Sequence, residues 1–489
     1  MKQRWVIVAT VMICVFGFGF NVAPVYAGID FEPDGLESPP TVVAETPGAV
    51  DPLEIGIETA VAIALRNNLG LRSDLIDLEI ARRSLDRRFN VLIPEISGSA
   101  TLARPHVEPE SPFADFVDLL EPFGAGPVDL EDPARWRLQP ELRASLTFTT
   151  RMLYGIRGAQ LAYRAGVLEI DDARKQLDRD VRQSFYELLL LQENLTITDR
   201  RIENAQEQYE DAQANFEAGL IDEFTLLQAQ VALENLRPQR RQQQLALETG
   251  LLAFVQSLGL ARGTEIRLVG SISAADTGLP PEDFVLGFVG GNPGLRQAQQ
   301  ALELLENQLS LDRSARHPTF TLSYTEQPEL AGDPLSADPL DIDNWSRGGQ
   351  FAITLRVPLD PQLPQSQARM QIDNRRSERA QAELEIQEAR EQVELRITQL
   401  LRGLAASLEQ LATLALNLEL AERAYELAVE AHAAGLREFS EVRDAEVELE
   451  EARVAVLEEQ YEYLSNLLDL EYQLDISLDE IRERYDEND

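Results

Sequence analysis

"NFEAGLIDEFTLL", residues 215–227, and "EAHAAGLREFSEV", residues 430–442, each set a single glycine inside a long run of strong helix formers. Gly219 and Gly435 stand 216 positions apart, and heptads lead up to both. Before the first lie Val181, Leu188, Leu195, Ile202, Tyr209 and Phe216, followed three residues later by Ser184, Leu191, Thr198, Ala205, Ala212 and Gly219. Before the second lie Ile397, Leu404, Leu411, Leu418, Tyr425 and His432, with companions Leu400, Ser407, Leu414, Ala421, Ala428 and Gly435. Six consecutive heptads predict coiled-coil packing, and the small companions let helices approach closely. A helix over 156–218 would extend about 95 Å at 1.5 Å per residue. Both glycines therefore read as C-caps that take a left-handed conformation and reverse the chain at the tips of long rods.

The duplication extends outward. "NLGLR" (68–72) recurs as "NPGLR" (292–296), and Pro94 recurs as Pro318, both at an offset of 224. Each half predicts a helix (57–90, 294–316), two strand-like segments, a long helix, a glycine and a returning helix (221–258, 438–475). Pro238 predicts a kink or local break in the first returning helix. The strand segments are 95–103, 141–152, 319–326 and 350–358. The clearest, "QFAITLRVP" (350–358), points Phe351, Ile353, Leu355 and Val357 one way and Gln350, Ala352, Thr354 and Arg356 the other. Alternation of this kind fits a membrane barrel strand or a half-buried strand of a soluble sheet. The long, proline- and acid-rich connections 104–140 and 327–349, opposite the rods, favour the barrel. Four strands cannot close one, and open edges in lipid leave backbone groups unpaired at a cost of several kcal/mol each. Sister copies must then complete it.

The charge of −40, from 84 acidic against 44 basic residues, excludes nucleic acid as a partner, because phosphate binding needs a basic face. Lys2 and Arg4 precede the apolar run Trp5–Phe20, and "VYA" (25–27) offers the small side chains of a cleavage site. Residues 1–27 thus read as a secretory signal peptide. The one cysteine, Cys14, lies inside it after Ile13, where a lipoprotein signal needs a small residue. The mature chain then has neither disulfides nor thiolate metal sites. An acidic, proline-rich linker (28–52), repeat 1 (53–275), repeat 2 (276–475) and an acidic C-terminal tail (476–489) complete the organisation. His106, His317 and His432 lack metal-ligand spacing, and neither a catalytic constellation nor a phosphate loop is visible. No cofactor and no enzymatic activity are expected.

Taken together, "IETAVAIALRNNLGLRSD" (57–74), "LIPEISGSATL" (92–102), "FEAGLIDEFTLLQAQVALENL" (216–236), "GNPGLRQAQ" (291–299), "RHPTFTLSY" (316–324), "LRVPLD" (355–360) and "HAAGLREFSEVRDAEVELEEAR" (432–453) resemble the TolC family of outer-membrane efflux and secretion channels. The resemblance runs from about residue 53 to 475. It departs at the strand-to-helix turns. Pro358 and Leu359 continue as "DPQLPQ" without the family's glycines, and the first copy, "RMLYGIRG", lacks the proline.

The resemblance implies a mostly α fold with a small membrane β-barrel portion. A homotrimer would pool four strands per chain into twelve and extend a helical tunnel into the periplasm. It implies docking on a periplasmic adaptor (a membrane fusion protein) and, through it, an inner-membrane RND or ABC transporter. It also matches Glu441 and Asp444, which share a helix face, to an acidic constriction at the periplasmic entrance. Arg437 matches a basic residue that tethers the closed tip, with Asp222, Glu223 and Thr225 as candidate acceptors on the neighbouring hairpin. Gly219, Leu220, Gly435 and Leu436 mark the docking tips. A secreted coiled-coil scaffold whose strands form a soluble cap is the alternative. A periplasmic adaptor carries one hairpin rather than two.

Overall fold

The computed structural model describes residues 53–103, 137–273, 278–330, 345–346, 348–434 and 436–487. The signal peptide 1–27, the linker 28–52, His106 and Gly435 lie outside the described residues. The first repeat comprises β1 (Leu53–Ile55), α1 (Ile57–Asn67), α2 (Leu69–Asp86), β2 (Glu95–Ala103), β3 (Arg137–Phe148), α3 (Arg151–Glu217) and α4 (Glu223–Ser257). After β4 (Ile266–Leu268) and α5 (Glu282–Leu286), the second supplies α6 (Pro293–Ser314), β5 (Thr319–Glu326), short β6 (Glu329–Leu330) and β7 (Trp345–Ser346), β8 (Gly349–Arg356), α7 (Gln367–Ala433) and α8 (Phe439–Leu474). The two long helices, α3 and α7, have 67 residues each, about 100 Å of rod.

The heptads form the predicted seam. Val181 and Leu188 of α3 and Ile397 and Leu404 of α7 are buried. Towards the tips burial passes to the small companions Thr198, Ala205, Ala212 and Ala428, where the helices close on each other. Each repeat builds its own core at the root of its hairpin. Val181, Phe185 and Leu188 pack with Phe254 and Leu258 in the first. Ile397, Leu401 and Leu404 pack with Leu470 and Leu474 at the matching positions of the second.

The predicted helix 57–90 is two helices. Asn68, with ψ of 127°, ends α1, and its side chain caps α2 by accepting from the Leu71 amide at 3.0 Å. Its Nδ2 also donates to the Ser257 carbonyl at 2.9 Å, closing off the end of α4. Asn292 repeats this arrangement, accepting from Leu295 N and donating to the Gln473 carbonyl at 2.9 Å. An asparagine N-cap satisfies helix-end donors that a continuous helix would not expose. At both joints two backbones meet too closely for a Cβ. In the first repeat the glycine is Gly259, with φ of +69°, facing the Asn67 carbonyl. In the second it sits on the other strand of the joint, as Gly291 against the Leu474 carbonyl. Asp475, which replaces Gly259 there, is the one non-glycine residue with positive φ among the described residues. Its carboxylate binds Lys175 at 2.6 Å and Arg296 at 2.7 Å.

Three further features differ from expectation. α4 continues through Pro238 without a break. β3 runs over 137–148 rather than 141–152, with α3 beginning at Arg151. Pro140 is tolerated within β3 because it faces Ala100 of β2 alone; pairing with β5 begins only at Leu142. The acidic C-terminal tail carries a helix, α9 (Leu478–Asp486), whose Leu478 and Ile481 enter the second core.

The four main strands form one antiparallel sheet in the order β2–β3–β5–β8. Directly opposed residues share a face, so the register sorts the sheet. One face carries Ile96 opposite Ala144, Ala144 opposite Tyr324 and Tyr324 opposite Phe351, then Leu146, Leu322 and Ile353 in the next row and Phe148, Phe320 and Leu355 in the row after. The other carries Ser97, Arg143, Thr325 and Gln350, and Thr147, Thr321 and Thr354. Among the described residues nothing covers the apolar face: Ile353 is 70% and Phe351 63% exposed. The outer edges of β2 and β8 have no partner among the described residues. No described helix is long and apolar enough to cross a membrane.

Candidate functional site

The far ends of the two hairpins hold every described site residue singled out from the sequence. At the first, α3 ends in a Schellman turn. Gly219 has φ of +73°, its amide donates to the Phe216 carbonyl at 2.9 Å, and the Leu220 amide donates to Asn215 at 2.8 Å. At the second tip the Leu436 amide donates to the Ala431 carbonyl at 2.8 Å, the same bond 216 residues on. Leu220 and Leu436 are left naked, 73% and 81% exposed.

Asp222 caps α4. Its carboxylate accepts from the Thr225 hydroxyl at 2.5 Å and the Thr225 amide at 3.0 Å, which holds its carboxyl below the ordinary aspartate value. Glu223 follows in the first turn of α4, where a carboxylate suits the helix dipole. On the second hairpin Arg437 pairs with Glu441 at 3.2 Å, and Arg443 with Asp444 at 3.0 Å. His432 is exposed, with Nδ1 3.0 Å from the Arg437 carbonyl. The structure therefore gathers Arg437, Glu441 and Asp444 at one tip and Asp222, Glu223 and Thr225 at the other. Among the described residues no ion pair within the chain joins Arg437 to the first tip. The exposed pairs contribute little each, about 0–1 kcal/mol.

The contact between the hairpins lies further in and was not foreseen. Glu446 and Glu450 belong to the acidic run of α8 and yet are only 7% and 5% exposed. Glu446 accepts from Asn204 Nδ2 at 2.6 Å and from Gln208 Nε2 at 3.1 Å, both on α3. The signal was spacing. Val442, Glu446, Leu449, Arg453 and Val456 step by four and three, so the seam of α8 passes through Glu446, with Glu450 beside Leu449. Beside them Phe224, Leu227 and Val231 of α4 line an open groove of 710 Å³ with Gln208 and Arg443. Among the described residues no group of His, Cys, Asp or Glu is arranged to hold a metal ion.

Paired helical rods joined to an open, two-faced sheet define a protomer of an envelope channel. The chain belongs to the outer membrane efflux protein family, whose model matches residues 60–260 and 289–474. No curated protein is recognisably similar to it in sequence. The fold is similar to that of the CmeC outer membrane channel of Campylobacter jejuni, with a TM-score of 0.70 at 19% identity, covering 86% of this chain and 85% of that one. It is similar also to the outer membrane protein VceC of Vibrio cholerae, with a TM-score of 0.67 at 15% identity over 86% of this chain and 96% of the other. The open state of the MtrE outer membrane channel of Neisseria gonorrhoeae gives 0.64 at 16% identity, over 86% and 89%.

Proposed function

We propose that three copies of the chain join their sheets edge to edge into one twelve-stranded barrel, and that the assembly is a passive exit duct. The observation that carries this reading is the sheet: one face apolar across four strands except for Glu326 at its end, the other polar, and both outer edges unpaired among the described residues. A soluble cap would have to leave that apolar face in water. Placed in lipid, the apolar face is satisfied, the polar face lines water, and each β2 finds the β8 of a neighbour. Cell fractionation tests it. The protein is expected in the outer membrane after export by the signal peptide, extracted only by detergent, and migrating as a heat-sensitive trimer. A soluble monomer in the periplasm would support the scaffold instead.

The duct serves a tripartite efflux pump or a type I secretion system, with a periplasmic adaptor on the exposed tips at Leu220 and Leu436 and an RND or ABC transporter beyond it. Three-fold repetition turns Glu441 and Asp444 into rings of carboxylates at the entrance. In the closed state Arg437 leaves Glu441 for Asp222, Glu223 or Thr225 on the neighbouring hairpin, and opening breaks these links. Each link is weak by itself, and three symmetric sets acting together would bias the closed state. The double variant Arg437→Ser, Asp222→Ala is accordingly expected to raise single-channel conductance in a planar bilayer. Unchanged conductance would remove the tether and leave the duct intact.

A further inference from the structure

We propose that Glu446 and Glu450 form a proton-operated latch that fastens the second hairpin to the first, a device that rests on the hairpin-gate reading above. Glu446 is the anchor. Its two oxygens take one amide donor each from Asn204 and Gln208, so it ties α8 to the long helix of the other repeat. Glu450 is the switch. It lies one turn further along α8, is as buried as a core leucine, and its Oε2 is buried without a hydrogen-bond partner in the structure. A carboxylate in that position is costly while ionised, because one oxygen has lost water and gained nothing.

The surroundings decide in which direction the switch works. On its own helix Glu450 meets Arg453, whose Nη1 lies 2.9 Å from its Oε1, and Glu446. From α3 it feels Arg201. From α7 come Tyr425, whose phenol burial keeps neutral, and Glu422, which accepts from the other arm of Arg453 at 3.3 Å. Glu207 of α3 adds its charge at Tyr425. Burial is the largest influence on Glu450 and pushes its carboxyl up from the ordinary value of 4.5; Arg453 and Arg201 pull the other way, and Glu446 adds to the rise. The latched hairpins therefore bind this proton more tightly than hairpins swung apart, where Glu450 meets water. By linkage the latch strengthens as pH falls through the raised value and weakens as pH climbs above it. Residues four apart on a helix are neighbours, so the protonated Glu450 can donate to the Glu446 carboxylate, which ends their repulsion and gives the orphaned oxygen a partner. Arg453 keeps Glu422 when Glu450 is neutral.

Hydrogen exchange on the full chain in detergent reads the latch directly. Amides of α8 over 440–455, corrected for the chemical rate at each pH, are expected to slow about threefold or more between neutral pH and the ordinary carboxyl value of 4.5, below which the latch is at full strength. Amides of α4 over 240–252 should not change. Glu450→Gln, a permanent mimic of the protonated acid, should exchange slowly at both pH values, and Glu446→Ala rapidly at both. The latch is overturned if α8 of the unmodified chain ignores pH, if Glu450→Gln keeps the full pH step, or if α4 slows equally, which would mark a global titration. Bilayer conductance over the same range separates the two readings. A pH step in exchange with constant current supports the latch and counts against the gate.

Discussion

Replacing Ile353 by arginine is expected to abolish assembly in the outer membrane. Within one chain this side chain is 70% exposed, at the middle of β8 and in a row with Leu322 and Leu146. If the sheet stood in water, an exposed Ile→Arg change would cost no more than about 0.5 kcal/mol. Facing lipid near the bilayer midplane, arginine costs about 2–4 kcal/mol per side chain, and a trimer carries three. The neighbouring Thr354→Arg, on the polar face opposite Thr321, is the matched control and should insert normally. Quantifying heat-sensitive trimer in outer-membrane fractions of the two variants measures the difference. Equal yields would mean that the apolar face does not meet lipid.

Gly259→Ala should be nearly as damaging, although the position lies in neither the four-stranded sheet nor a hairpin tip. The residue caps α4 with φ of +69°, and its amide and that of Leu260 close the end of the helix on Gln256 and Val255. Any Cβ there would enter the backbone carbonyl of Asn67, which is not the yielding end of a flexible side chain. The left-handed conformation alone costs about 1 kcal/mol for alanine, and displacing the α1–α4 joint brings the total above about 4 kcal/mol. Gly290→Ala, where a Cβ meets nothing within 4 Å, should be neutral. Thermal denaturation of the two purified variants, or their failure to purify, checks this.

The repeats were legible because their periods are long and their cores lie at equivalent positions. A heptad sustained from Val181 to Phe216 leaves little room for another reading, and strict alternation placed β2, β5 and β8 within two residues of their observed ends. The start of β3 was hidden by Pro140, whose missing donor matters only where a second strand pairs. Two pieces of backbone logic escaped notice. Asn68 breaks a run of helix formers because its side chain serves two helix ends at once. Glycine also changes sides between the two joints, from Gly259 to Gly291, so comparing the repeats position by position conceals one shared close approach. At the site, the tip residues were legible as turn chemistry. Glu446 and Glu450 were not, because an acidic run looks the same whether water or another helix covers it. Their seam spacing distinguishes the two cases, and only after α3 is known to lie against α8.

The central claim is that sheets unable to seal themselves are sealed by sister copies around water. Ion current through the purified protein in a planar lipid bilayer tests it most directly. Discrete, long-lived conductance steps from a detergent-extracted trimer are the predicted result. A protein that remains soluble without detergent, sediments as one chain and carries no current would contradict it.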